Sequence, residues 1–445
     1  MRKVLVRAVV LVATSVALVS CSSSPSTSSS GTSSKPSGLK VRAFVSNPLE
    51  PTGTGTFTQV LNIVDATLDE LSPSVVSLTG TSQSPGFMSL SPDKIHLLVF
   101  SSAANSITVV DTTTESIGSG SSGTVSAIKL PDATPSMLVA ADNVTGYAAV
   151  PAAPVTTSPP ALGAVEVFGV NTGTITSTIP VPGAHFVAAS PNGNRILALG
   201  TNTCVDNTTS VTLIAPSLIG SSQDPRTVVC GFDHPAWAVF SSDNTFAYVL
   251  NCGPECGGSV ASVSRVDLSA NPPTITVTLP LPNAGATFGL LSGSTLYVAG
   301  TPPGTGCGSG TAAPACGTLE TVDVGSMTVT SGPVLITDGV HNHMEMGANG
   351  QLFIGATTCS SVDTSSEVRG CLTIFDTTKS VVVIPPVPGD VTGIAPITNR
   401  NVVYVCQNAN FQVYDTTTDK LATPIVAGQN PIVIAGQPTD VKLVD

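Results

Sequence analysis

Val109-Val110-Asp111-Thr112-Thr113-Thr114 ends a hydrophobic stretch with an aspartate and a small polar turn. Similar segments return about once every fifty residues along the chain. The others are Val64-Asp65-Ala66-Thr67, Val266-Asp267-Leu268-Ser269, Val322-Asp323-Val324-Gly325, Phe375-Asp376-Thr377-Thr378 and Tyr414-Asp415-Thr416-Thr417-Thr418. A repeat of this length with only strand-like content predicts an all-β fold, a β-propeller with four short strands in each blade.

The number of blades follows from the strands between these turns. Ser91-Pro92-Asp93-Lys94 is a tight turn, and Ile95 to Ser101 is the second strand that follows it. Eight such second strands and eight third strands can be counted, which favours eight blades. Seven remain the alternative if the irregular unit Ala133 to Gly183 is miscounted. The first unit, Ala43 to Gly80, lacks a first strand, and Asn430 to Ala435 is one strand too many. We therefore expect a C-terminal strand to complete the first blade and close the ring.

The recurring aspartates have a structural explanation. At the end of a third strand, a carboxylate can accept hydrogen bonds from the N–H groups of the following turn. Aspartates spread around a ring cannot converge on one substrate.

The pattern Ser-Pro-Asp, strand, Val-Val-Asp-Thr-Thr-Thr resembles the YVTN-type β-propeller repeats of exported bacterial proteins, over nearly the whole chain after residue 40. This resemblance implies an architecture that surface-layer proteins, sugar-lactone hydrolases and quinoprotein-like dehydrogenases share.

The N-terminus has the features of an export signal. Three basic residues, Arg2, Lys3 and Arg7, precede or enter the apolar run Val4 to Val19. The ending Leu18-Val19-Ser20-Cys21 resembles a bacterial lipobox, which implies lipid attachment at Cys21. The alternative is an ordinary signal peptide with a chance cysteine. We expect a signal peptide at 1–21, a flexible Ser/Thr/Gly/Pro tether at 22–40 and a single propeller domain at 41–445. The protein would then be exported and lipid-anchored to the cell envelope, at the outer membrane or the outer face of the cell membrane.

Charge limits the classes of partner. The chain has 16 basic and 28 acidic side chains and a formal net charge of −12. Three of the basic residues lie in the signal, so the mature protein is still more acidic. Nucleic acid and anionic membrane surfaces repel such a protein. We therefore expect no nucleic-acid partner, and contact with the membrane only through the N-terminal lipid.

The cysteines agree with export, because disulfides persist in oxidising compartments. Close neighbours in the sequence predict loop-closing disulfides, and a fourth pair joins two ends of one repeat unit. The predicted pairs are Cys252 with Cys256, Cys307 with Cys316, Cys359 with Cys371, and Cys204 with Cys230. Cys406 is left over as a small buried hydrophobe. A zinc site is the rival explanation, but Cys252 and Cys256 are one residue too far apart for a zinc knuckle.

Four of the five histidines lie at or just before first strands, where a propeller has its channel mouth. His185, His234, His341 and His343 are these four. Strict alternation along a strand would place His341, His343 and Glu345 on one face. Together the four imidazoles and Glu345 could hold Zn, Cu or Fe. Water-lined channel histidines are the alternative, since the imidazoles do not occupy equivalent repeat positions. An acidic group at Asp65, Asp69 and Glu70 could bind calcium, but its spacing matches no known calcium loop.

Two functions from different classes fit these features. The first is a non-enzymatic scaffold, a monomeric domain that binds a protein, peptide or glycan with the loops at one rim and needs no cofactor. The second is an enzyme, a lactonase-like hydrolase or an oxidoreductase of a small molecule, with a metal at the channel mouth. No nucleophile motif such as Gly-x-Ser-x-Gly occurs, so we assign no catalytic residue. A self-associating stalk or coat component is a third, weaker possibility.

Overall fold

The computed structural model describes residues 37–78, 84–118, 127–155, 161–302, 316–360, 362–364, 367–422 and 432–445. These residues form eight antiparallel sheets of four strands, with an extra short strand in one sheet, and a separate two-stranded hairpin. We number the sheets as blades I to VIII in chain order. Three short 3-10 helices complete the secondary structure of the described residues: Pro216–Leu218, Gly253–Cys256 and Ala348–Gly350.

In every blade the strands are given from the innermost to the outermost. Blade I has β35 (Asp440–Val444), β1 (Arg42–Pro51), β2 (Phe57–Asp65) and β3 (Glu70–Ser77). Blade II has β4 (Pro85–Leu90), β5 (His96–Ser101), β6 (Ser106–Asp111) and β7 (Ser116–Ile117), and β8 (Ile128–Lys129) also pairs with β6. Blade III has β9 (Ser136–Val139), β10 (Thr145–Val155), β11 (Ala161–Gly169) and β12 (Thr174–Pro180). Blade IV has β13 (Phe186–Ala189), β14 (Ile196–Thr203), β15 (Thr209–Ile214) and β16 (Arg226–Phe232).

The second half of the ring follows the same order. Blade V has β17 (Pro235–Phe240), β18 (Phe246–Asn251), β19 (Ser262–Asp267) and β20 (Thr274–Pro280). Blade VI has β21 (Phe288–Ser292), β22 (Thr295–Gly300), β23 (Gly317–Asp323) and β24 (Thr328–Ile336). Blade VII has β25 (Val340–Met346), β26 (Gln351–Thr357), β29 (Leu372–Asp376) and β30 (Val381–Val383), with the hairpin β27 (Val362–Thr364) and β28 (Glu367–Arg369) inserted. Blade VIII has β31 (Val391–Pro396), β32 (Val402–Gln407), β33 (Asn410–Asp415) and β34 (Lys420–Leu421).

The core lies between blades. Each innermost strand contacts the innermost strand of the next blade, from β4 around to β31, β35 and back to β4. Eight buried apolar clusters fill the spaces, one between each pair of neighbouring blades. Both faces of the second strands are therefore buried, which explains their continuous apolar sequence. The prediction of an eight-bladed, all-β propeller is confirmed.

The ring is closed by the C-terminal strand, as expected, but the residues differ from those predicted. The innermost strand of blade I is β35, and it pairs with β1 from Arg42–Val444 to Ser46–Asp440. Of the segment Asn430 to Ala435, the first two residues lie outside the described ones. Ile432 and Ile434 are not in a strand, and they pack into the core between blades VIII and I.

Polar contacts also fasten blade VIII to blade I. The Arg400 guanidinium donates two parallel hydrogen bonds to the Asp69 carboxylate, at 2.6 and 2.7 Å, and a third to the carbonyl oxygen of Ala66. The buried Tyr404 hydroxyl donates to the same carboxylate. Bidentate pairs of this kind hold a fixed geometry. Asp69 therefore serves ring closure.

The recurring aspartates cap turns. Asp111 Oδ1 accepts hydrogen bonds from the N–H groups of Thr113 and Thr114 and from the Thr113 hydroxyl. Asp65, Asp267, Asp323, Asp376 and Asp415 do the same in their own turns. The structural explanation of these positions is confirmed.

The signal peptide, Cys21 and most of the tether lie outside the described residues. The last tether residues are described: the Ser37 hydroxyl donates to Glu115, and Leu39 packs against the core between blades I and II. No helix in the described part of the chain is long and apolar enough to cross a membrane.

Candidate functional site

The two rims of the propeller differ in character. Because antiparallel strands alternate in direction, the turns after first and third strands lie on one rim, here called the turn rim. The turns after second strands and the connections between blades lie on the other, here called the loop rim. The repeated Ser-Pro-Asp and Asp-Thr-Thr turns occupy the turn rim. The histidines that precede first strands lie at the loop rim.

Disulfides stiffen the loop rim on consecutive blades. Three pairs form among the described residues, and each includes a cysteine of the loop after a second strand: Cys204–Cys230 in blade IV, Cys252–Cys256 in blade V and Cys359–Cys371 in blade VII. Cys316 of blade VI is also disulfide-bonded, and Cys307, its expected partner, lies outside the described residues. Cys406 is free and buried. The prediction of loop disulfides is confirmed for the three described pairs.

A pocket of about 420 Å³ lies on the loop rim between blades IV and V. It brings together two of the predicted site residues, His185 and His234. The other lining residues are Gly200, Thr201, Thr203, Thr209, Pro235, Ala236 and Cys256. A pocket of this size is within the range of sites for small organic ligands.

His185 is held by main-chain carbonyl groups. Its Nδ1 lies 3.1 Å from the Gly183 carbonyl oxygen, and its Nε2 lies 3.1 Å from the Pro235 carbonyl oxygen of the next blade. Carbonyl oxygens only accept hydrogen bonds, so both ring nitrogens face acceptors. His185 therefore links blades IV and V and has no lone pair directed at a metal.

His234 forms a pair with Asp233. Its Nδ1 lies 3.0 Å from Asp233 Oδ1, and the other carboxylate oxygen accepts the N–H groups of Ser259, at 2.7 Å, and Val260, at 3.1 Å. Burial acts to raise the pKa of Asp233, but these hydrogen bonds outweigh it and hold the pKa below its usual range. The ionised carboxylate keeps the proton of the ring on Nδ1. Nε2 makes no hydrogen bond to the described residues.

The remaining three predicted residues do not share one face of β25. A β-bulge at Asn342 places His341 opposite Ala356 and His343 opposite Gly355, so these histidines point to opposite faces. His341 is buried, and its Nε2 lies 3.0 Å from the carbonyl oxygen of Thr337. Burial lowers the pKa of His341 to about 4.

The prediction of one face for His341, His343 and Glu345 is therefore wrong, because the bulge breaks the period of two. Only His343 and Glu345 remain on a common face of β25. Met344 lies on the same face as His341 and is buried. Among the described residues, no three His, Cys, Asp or Glu side chains are grouped as a metal would require. All five predicted ligands belong to the described part, so the predicted centre is not assembled.

Glu255 is a site residue that the sequence did not reveal. It lies in the 3-10 helix Gly253–Cys256, inside the loop that a disulfide closes. Its Oε2 accepts a hydrogen bond of 2.8 Å from the N–H of Thr301, which follows β22 of blade VI. Burial raises the pKa of Glu255 to about 7, against the opposing effect of hydrogen bonds from Thr301 and Thr287. The carboxyl group that links blades V and VI therefore changes charge near neutral pH.

Comparison with known proteins supports the fold alone. No protein-family model matches the chain, and no curated protein matches its sequence. Among solved structures, dihydro-heme d1 dehydrogenase NirN in complex with DHE is similar with a TM-score of 0.60 and 11% identity, over 91% of this chain and 75% of that chain. Hydrazine synthase of Kuenenia stuttgartiensis has a TM-score of 0.54 and 15% identity, over 77% of this chain and 99% of that chain. Apo AztD from Citrobacter koseri has a TM-score of 0.53 and 14% identity, over 91% of this chain and 98% of that chain. The chain is a β-propeller, and propellers serve unrelated functions.

Proposed function

We propose that this protein is a lipid-anchored β-propeller of the bacterial cell envelope that binds a partner protein, peptide or glycan with its loop rim. The observation that carries the proposal is a set of exposed apolar side chains on that rim. They are Leu49, Phe57, Leu162, Val205, Val260, Leu335 and Val340, and their exposed fractions run from 41% to 106%. Apolar groups exposed on neighbouring loops are typical of interaction surfaces.

Two of the loops that hold these side chains are suited to binding because described contacts fix their shape before a partner arrives. Val205 follows a cysteine of the blade IV disulfide. Val260 lies in a loop that is held by hydrogen bonds from its N–H groups to the Asp233 carboxylate. A pre-organised surface loses less conformational entropy on association. The turn rim is less suited, since its carboxylates and hydroxyls are bonded to one another within each turn.

Photo-crosslinking tests which rim meets the partner. We expect p-benzoylphenylalanine at Val205 of the full chain, in cells that make the protein, to form an adduct of defined mass. The same group at Leu68 of the turn rim, which is also exposed at 56%, is the matched control and should form none. An equal adduct from Leu68, or no adduct from either Val205 or Val260, would contradict the proposal.

Membrane attachment is proposed to depend on Cys21. The lipobox-like Leu18-Val19-Ser20-Cys21 and the YVTN-type pattern of the repeats support it. We expect Cys21→Ser to move the protein from the membrane fraction to the soluble fraction, because serine lacks the thiol that takes the lipid, and each buried methylene contributes about 0.8 kcal/mol to attachment. Ser22→Ala is the control and should remain with the membrane. A Cys21→Ser protein that stays fully membrane-bound would refute this anchor.

A further inference from the structure

We infer that the pocket between blades IV and V is a binding site for a small neutral compound that combines an apolar ring with a hydroxyl group, and that His234 Nε2 accepts the hydrogen bond of that hydroxyl. The inference goes beyond the proposed partner binding, because it concerns a small molecule inside the rim. It rests on the fixed position of one acceptor, on the walls of the pocket and on its charge.

The acceptor is held in place from several sides. His234 has a φ of 57°, a left-handed conformation that few residues other than glycine adopt. Its N–H donates to the Thr209 hydroxyl at 3.1 Å, and its carbonyl oxygen accepts the N–H of Cys252 at 3.0 Å. Asp233 then orients the ring through Nδ1. A strained residue that its surroundings fix so closely is typical of a functional position.

The walls favour an apolar body. The lining surface is mostly apolar, and Pro235, Ala236 and Gly200 bring no polar side-chain atom to it. Next along β17 after Ala236, the indole of Trp237 lies between two rings of the neighbouring innermost strands, with centroids 4.3 Å from Phe186 and 4.0 Å from Phe288. A ligand in this pocket therefore gains binding free energy from the burial of apolar surface. A polar group on the ligand needs a hydrogen-bond partner there, and His234 Nε2 can be that partner.

Charge decides between a neutral, an anionic and a cationic ligand. Lysine and arginine are absent from the described lining residues, and the chain carries a net charge of −12, so an anion has no partner and is repelled. A cation also lacks a partner, because both oxygens of Asp233 are engaged by His234, Ser259 and Val260. A neutral donor such as a phenolic hydroxyl can donate to Nε2, the ring nitrogen of His234 that does not face Asp233.

The only tryptophan of the chain reports on this site. We would titrate the full chain with phenol and follow the fluorescence of Trp237, using benzene, benzoate and benzylamine as ligands of similar size that lack the hydroxyl or carry a charge. Phenol should bind most tightly. His234→Ala should lower the affinity for phenol by about five- to tenfold, which is the effect of one hydrogen bond, and leave the affinity for benzene unchanged. His96→Ala, a substitution in β5 of blade II, is the control variant.

Two results would overturn the inference. One is benzoate or benzylamine binding as tightly as phenol, and the other is phenol binding that His234→Ala does not weaken. A protein that binds none of the four probes overturns it as well. These outcomes do not affect the crosslinking test, so failure of the small-molecule site and failure of the rim can be told apart.

Discussion

Removal of Asp440–Asp445 is expected to abolish cooperative folding of the propeller. These residues include all of β35, the innermost strand of blade I, and without them β1 has an unpaired edge and two neighbouring blades lose a packing partner. The core between blades VIII and I loses Val441, and the core between blades I and II loses Val444. The hydrogen bond of 2.6 Å from the N–H of Met88 in blade II to the Asp440 carboxylate is also lost. Two buried valines alone account for about 3–5 kcal/mol, and domains are stable by only about 5–15 kcal/mol.

Circular dichroism and thermal melting of the full and shortened chains check this expectation. Removal of Asp445 alone is the matched control, because it keeps β35 and loses only the contacts of the Asp445 side chain with Lys94 and Thr398 on the turn rim. That control should melt within a few degrees of the full chain, since exposed ion pairs contribute about 0–1 kcal/mol. A chain without residues 440–445 that melts cooperatively at the original temperature would show that the ring does not need its closing strand.

The closing strand is a part of the fold that the sequence did not predict correctly. The repeat of strand, aspartate and polar turn predicted the eight blades, since second strands are apolar on both faces and stand out. An innermost strand borders the channel, so polar residues such as Lys442 are tolerated there. The apolar Ile432-Val433-Ile434 therefore suggested a strand more strongly than Asp440–Val444 did, although it packs as an irregular segment.

The candidate site depended on backbone details that the sequence does not show. Four innermost strands have a register shift near their starts, at Pro85/Met88, Pro235/Trp237, His341/His343 and Val391/Gly393. No residue pattern common to the four marks these shifts, so alternation predicted the wrong face for His341.

The pairing of Asp233 with His234 was hidden for a similar reason. Adjacent residues of an extended strand point to opposite faces, but Asp233 and His234 lie in a bend where His234 has a positive φ, and there the two side chains meet. The sequence did identify His185 and His234 as rim residues, and the structure places both in one pocket.

Glu255→Gln is expected to stabilise the protein at pH 8 by about 2 kcal/mol relative to the original chain and to have little effect near pH 4.5. The carboxyl group has its ordinary pKa of 4.5 in the unfolded chain and about 7 in the folded one. Between these values the folded protein holds a proton that the unfolded chain has lost, so its stability falls as the pH rises through this window. Each pKa unit corresponds to about 1.4 kcal/mol, and the partial exposure of Glu255 reduces the full effect.

Glutamine at this position has the shape of the protonated acid, so its carbonyl oxygen can still accept the N–H of Thr301. Denaturant unfolding of both proteins at pH 4.5, 6 and 8 gives the difference directly. Burial also raises the pKa of Glu166 and Glu320 and lowers that of His341, so these groups make the stability of both proteins depend on pH as well; both proteins share those effects, and the difference between them isolates Glu255. Glu70→Gln removes the same charge from the exposed start of β3 and should give no comparable pH-dependent gain. If the Glu255→Gln difference is the same at all three pH values, the carboxyl group does not gain a proton when the chain folds, and the link between blades V and VI is insensitive to pH.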